Sequence, residues 1–93
     1  MNTFRNLGLA FEALNRGGNM PCIINAANEI AVAGFLEDQI SFLAMSDVVE
    51  NCMQKITYIA KPTQADYLNT DKETRIFAQN LIKQMPSKAY NLI

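Results

Sequence analysis

The side chains in this sequence best placed to do chemistry are Asn25, Asn28 and Glu29, in the stretch NAANE. They interrupt a run, PCIINAANEIAVAGFL, that is otherwise almost wholly apolar. Asn25 and Glu29 lie four residues apart, so on a helix all three side chains share one narrow strip. A strip of amides and a carboxylate on an apolar helix has two uses. It can touch a substrate, or it can hydrogen-bond backbone groups of an adjoining loop or helix end. The second use is strongly driven, because a buried polar group left unpartnered costs ~1–3 kcal/mol. A catalytic site would need a second polar cluster facing the strip, and the sequence offers none. The strip is therefore expected to be structural.

Other candidates are weaker. The chain has no histidine, and Cys22 and Cys52 stand alone with no CxxC spacing. That excludes the usual zinc sets and leaves two reduced, buried thiols as the expectation. Glu12, Glu29, Glu37 and Asp38 could in principle supply a carboxylate pair. Glu37 and Asp38 close a helix, however, and Glu12 lies across its helix from Leu7 and Leu14, so these three read as solvated. The segment RGGNMP admits a phosphate cradle at a helix N-terminus, but a two-glycine turn between helices explains the same residues. No glycine-rich nucleotide loop follows a strand. The expected catalytic, cofactor-binding and metal-binding residues of this chain are none.

Ninety-three residues, 49% of them hydrophobic and 18% charged, make one small globular domain. A net charge of −1 without a basic stripe argues against nucleic acid. The longest apolar run is too short and too polar to cross a bilayer, and the N-terminus lacks a signal-peptide layout. A cytoplasmic location is expected.

Four helices would position these residues. The first, about 4–16, places Phe4, Leu7, Phe11 and Leu14 on one face. Gly17 and Gly18 end it, Asn19 can cap the next helix and Pro21 sits in its first turn. The second helix, about 20–38, is apolar nearly all round and so reads as a buried central helix, with Phe35 in the core. ISFLAM then reads as an extended connector whose Ile40, Phe42 and Leu43 cover the bundle's end. Ser46 offers a cap for a third helix, about 46–56, with Val48, Val49, Cys52, Met53 and Ile56 inward. Pro62 and the lack of a period make 57–69 a loop. Thr70 and Glu73 form a capping box for a fourth helix, about 70–85, that buries Phe77, Ala78, Leu81, Ile82 and Met85. Pro86 closes it, and residues 86–93 read as a loose tail. The expected fold is all-α, a small antiparallel four-helix bundle. Its second helix is more apolar than so small a domain needs.

Residues 7–50 closely resemble the C-terminal helical domain of the 1-deoxy-D-xylulose 5-phosphate reductoisomerase family. The family's LAxEAL-like segment matches residues 9–14, followed by its glycine pair at Gly17 and Gly18 and its proline at Pro21. NAANE, AV and FL follow in order and spacing, then an IxF segment at 40–42 and a helix near Ser46. The likeness runs over about 4–85 and weakens after Ile56. It implies a parent enzyme that is a cytoplasmic homodimer of non-mevalonate isoprenoid synthesis. That parent would use NADPH and a divalent metal ion to rearrange and reduce a sugar phosphate. The resemblance places the cofactor and catalytic domains upstream, so this chain would be an excised C-terminal scaffold that packs on them and carries no catalytic residue. A free-standing helical interaction module is the competing reading.

Overall fold

The computed structural model describes the backbone of residues 2–85 and the side chains of residues 8–85. Four helices account for all regular structure among them: α1 (Asn2–Arg16), α2 (Met20–Leu36), α3 (Phe42–Lys55) and α4 (Gln64–Gln84). The polypeptide is all-α, as the periodicities predict. Helix α2 packs against each of the other three, and α3 also meets α1 and α4. The core gathers where they converge, around Met20, Ile23, Ala27, Ala31, Ile40, Val48, Cys52, Ala78 and Ile82.

On α1 the inward line is not the expected one. Leu9 and Ala13 face the core, while Phe11 and Leu14 are 57% and 69% exposed. The side chains of Phe4 and Leu7 lie outside the described residues. The helix carries two apolar lines, and period alone cannot say which one meets its neighbours.

Gly17 (φ 64°) and Gly18 (φ 57°) turn the chain into α2 in the left-handed conformation that glycine adopts without strain. Helix α2 buries Met20, Ile23, Ala26, Ala27, Ala31 and Gly34. Small residues dominate this set, which is what allows three neighbours around one helix. One lane stays open to solvent: Asn25, Asn28, Glu29, Val32, Ala33 and Leu36. The sequence suggests burial nearly all round; three neighbours leave the fourth side uncovered. Phe35 is half-buried and meets Phe42 edge-on, ring centroids 5.9 Å apart, so it lines the margin of the core. Helix α2 ends at Leu36, short of Asp38. Asp38 takes a left-handed turn (φ 61°), and its N–H and that of Gln39 donate to the carbonyls of Phe35 and Gly34 at 3.1 and 2.8 Å. This is the wrapped helix end in which the last carbonyls find partners.

Helix α3 begins four residues before its expected start. Ser41 is its cap, its hydroxyl accepting from the Ala44 N–H at 3.1 Å, and Ser46 is a buried interior residue. The ISFLAM stretch is therefore mostly helical, with Ile40 fully buried and Phe42 and Leu43 about half exposed. The inward residues Val48, Val49, Cys52, Met53 and Ile56 are those the spacing predicts.

Helix α4 starts at Gln64, not near residue 70. Thr63 and Asp66 form the capping box: the Asp66 N–H donates to Thr63 Oγ1 at 3.1 Å, and the Thr63 N–H donates to Asp66 Oδ2 at 2.9 Å. Thr70 and Thr74 are buried interior positions, with Ala78 and Ile82 continuing the same face. Phe77, Leu81 and Met85 pack partly against the core. The expected closure at Pro86 and the tail lie outside the described residues.

Candidate functional site

The NAANE residues stand on the open lane of α2, with Asn25, Asn28 and Glu29 all exposed. Glu29 is held by α4: its carboxylate accepts from the guanidinium of Arg75, whose Nε also donates to Asp71 Oδ2 at 2.9 Å. The hydrogen bonds to Asp71 and then to Glu29 raise the Arg75 pKa further above its ordinary value, so the guanidinium stays charged. The group that Glu29 meets in this structure is thus a side chain, not a backbone carbonyl or N–H. As an exposed pair it is worth at most ~1 kcal/mol.

Asn25 and Asn28 face another way. Together with Pro21 and Ile24 from α2, Ala10 from α1 and Val49 from α3, they line a cleft of about 400 Å³. Among the described residues its walls are apolar and carry no charge, and the two carboxamides are its polar side chains. Each carboxamide offers a donor and an acceptor. Such a lining can hold hydrogen-bonding groups in register but contributes no nucleophile, base or metal ligand.

A second cleft, of about 440 Å³, opens where Glu12, Arg16, Glu50 and Lys55 surround Tyr58. The Arg16 guanidinium lies 5.0 Å above the Tyr58 ring centre, and Tyr58 Oη donates to the Arg16 carbonyl at 2.6 Å. These contacts tie α1 to the segment after α3. Charges of both signs line this cleft, and Glu12 and Arg16 pair at 3.7 Å.

The glycine turn and the start of α2 already use several of their N–H groups. The Asn19 N–H donates to the Ile59 carbonyl at 3.0 Å, the Met20 N–H to the Gly17 carbonyl at 3.0 Å and the Ile23 N–H to the Asn19 carbonyl at 3.0 Å. These three N–H groups are already committed. A Cβ on Gly18 would come within 2.3 Å of the Ile59 carbonyl oxygen, so the turn and segment 57–60 are in direct backbone contact.

The residue that sequence reasoning missed is Asn19. Its side chain does not cap α2. It is fully buried and joins three elements: Nδ2 donates to the Thr57 carbonyl at 2.9 Å and to Thr70 Oγ1 at 3.0 Å, and Oδ1 accepts from the Ile59 N–H at 2.8 Å. Every ordinary capability of a primary amide is used except one lone pair. Nothing in the local sequence separates this role from capping, because both place an Asn after a glycine turn. The start of α4 was legible: Thr63-x-x-Asp66 directly after Pro62 has the capping-box pattern.

Cys52 is fully buried and Cys22 partly so; neither is disulfide-bonded. Burial pushes the Cys52 thiol up to about 11 and raises that of Cys22 too, so neither is a ready thiolate. Among the described residues, no group of three Cys, Asp or Glu could hold a metal ion, and no helix is long and apolar enough to cross a membrane.

Residues 1–77 match the family described as the DXP reductoisomerase C-terminal domain. The chain is similar to the 1-deoxy-D-xylulose 5-phosphate reductoisomerase of Phocaeicola vulgatus, 61% identical over 79 residues, which is 85% of this chain and 21% of that protein. It is also similar to the enzyme of that name from Bacteroides thetaiotaomicron, 60% identical over 79 residues (85% of this chain, 20% of that protein). That from Halalkalibacterium halodurans is 46% identical over 83 residues (89% and 22%). The chain thus spans about a fifth of the length of these relatives.

Proposed function

This chain belongs to the DXP reductoisomerase C-terminal domain family, and from that membership we propose that it is the non-catalytic scaffolding domain of a 1-deoxy-D-xylulose 5-phosphate reductoisomerase. The observation that carries the reading is the family match over residues 1–77. The reaction of the whole enzyme would be rearrangement of the sugar phosphate and reduction by NADPH to 2-C-methyl-D-erythritol 4-phosphate, with a divalent metal ion. Neither group fits the residues described: three-carboxylate or thiol clusters are absent among them, the chain has no histidine, and the N–H groups of Gly17, Asn19 and Met20 at the glycine turn are already bonded to backbone carbonyls. No step is assigned to this chain. Its work would be to present a rigid surface to upstream cofactor-binding and catalytic domains of the same polypeptide, in a cytoplasmic homodimer.

The helices of such a single scaffolding domain would form an antiparallel bundle. Support comes from the short connections, 17–19, 37–41 and 56–63, since brief links between helices favour antiparallel neighbours. Rigidity has a visible source in Asn19, which locks the α1–α2 turn to segment 57–59 and to α4.

A chimera tests the proposal. The matched C-terminal fifth of the Phocaeicola vulgatus enzyme is replaced by this chain, and NADPH oxidation with the sugar phosphate is followed. Turnover within a few-fold of the unmodified enzyme is expected, while the chain alone neither oxidises nor binds NADPH in a calorimetric titration. Micromolar NADPH binding by the chain alone would overturn the non-catalytic reading, and an inactive, unfolded chimera would overturn the domain assignment.

A further inference from the structure

The surface by which this domain would meet the rest of its enzyme can be narrowed to one face. We infer that the cleft between α1, α2 and α3, walled by Ala10, Pro21, Ile24 and Val49 and floored by Asn25 and Asn28, receives an uncharged loop of the same polypeptide. That loop would come from the part the relatives carry beyond the matched fifth. The inference rests on the scaffolding assignment above.

Three observations choose this occupant. The cleft holds about 400 Å³, room for a few side chains, and none of the described residues that line it is charged. A sugar phosphate or nucleotide would find no cation among those residues to receive its charge. What two neutral carboxamides one helical turn apart do match is the alternation of N–H and C=O along a peptide backbone, with apolar side chains filling the walls. The surroundings agree. Helix α1, which supplies Ala10, leaves Phe11 and Leu14 largely exposed, and the α2 lane runs on from Asn28 to the exposed Val32 and Leu36. Leu14 and Val32 stand one helical turn beyond Ala10 and Asn28, so exposed apolar side chains adjoin the cleft residues along both helices. Finally, the relatives are about five times the length of the matched segment, so the covering chain is covalently attached and needs no separate partner at high concentration.

The test compares the chain alone with the chimera described above. Hydroxyl-radical oxidation of Pro21 and Ile24 is expected to fall roughly tenfold in the chimera, as for residues at a desolvated interface centre, while exposed Lys61 and Leu68 keep their rates. N28K is the matching variant. It should leave the denaturation midpoint of the chain alone unchanged, because Asn28 is exposed there. In the chimera it should lower the melting temperature, because an unpaired charge enters a closed seam. An active chimera with unprotected Pro21 and Ile24, and with N28K neutral, would overturn the inference and leave the scaffolding assignment standing. Loss of turnover by N28K at unchanged melting temperature would place the cleft in the active site instead. Protection that grows with the concentration of the isolated chain would assign the face to a second copy. A chimera that does not fold removes both readings.

Discussion

At the residue scale the most consequential side chain is Asn19, and its chemistry makes a sharp prediction. Three groups depend on its buried carboxamide: the buried Thr70 Oγ1 and the partly buried Thr57 carbonyl and Ile59 N–H. Asn19→Ala leaves these without that partner at ~1–3 kcal/mol each before relaxation, so a loss of about 3 kcal/mol or more is expected in urea denaturation. Asn19→Asp should be worse still, since it keeps the acceptor for Ile59 but aims a buried anion at a carbonyl. An alanine variant as stable as the parent would show that the junction is water-filled. Cys52 gives the pH dependence. Its folded pKa is raised to about 11 from an ordinary 9.0, so between those values the folded chain binds more protons than the unfolded one. Stability from this group is complete below pH 9 and is lost as pH rises toward 11. Cys52→Ala should flatten that decline relative to the parent; identical slopes would show that Cys52 is not the group responsible. The Asn25 and Asn28 amides contribute to neither effect, because both are exposed in the chain as it stands.

At the element scale the connections decide more than the helices do. Gly17 and Gly18 both adopt left-handed backbone, but their surroundings differ: a Cβ at Gly17 meets open space, whereas one at Gly18 drives into the Ile59 carbonyl and the Ala60 backbone. Gly17→Ala should therefore cost only the conformational strain, ~1–2 kcal/mol. Gly18→Ala adds an overpacking cost of ~1–3 kcal/mol, for a total of about 2–5 kcal/mol. Thermal denaturation of the two variants checks the order, and equal losses would mean that segment 57–60 yields. The helices show the same dependence on context. Ser46 and Thr70 each have cap chemistry in sequence, yet Ser41 and Thr63 hold the caps. The reason is that a capping pattern recurs wherever a hydroxyl precedes helix formers, and the earlier site wins when the segment between is helical too.

At the scale of the whole molecule, the exposed apolar surface separates the chain's own stability from what it offers to others. Leu9 is buried and Leu14 is not, although both lie on α1. Leu9→Ala should cost about 2–5 kcal/mol as a core truncation, while Leu14→Ser should change stability by no more than ~0.5 kcal/mol and raise solubility. Denaturant midpoints would sink this assignment if they ranked the two the other way. The sequence by itself determined the all-α class, the glycine turn after α1, the inward face of α3 and the family, because periodicity, turn chemistry and a specific string of residues are local properties. It also determined that α2 is central, since small residues and apolar content fix how many neighbours a helix can hold. Only the tertiary structure decided which of α1's two apolar lines points inward and that the NAANE strip stands on the uncovered side of α2. It alone decided, too, that Asn19 and Arg75 reach across to residues 40 and 46 positions away. Those outcomes depend on where distant segments lie, and three helices packed around a fourth leave one side free that no local pattern identifies.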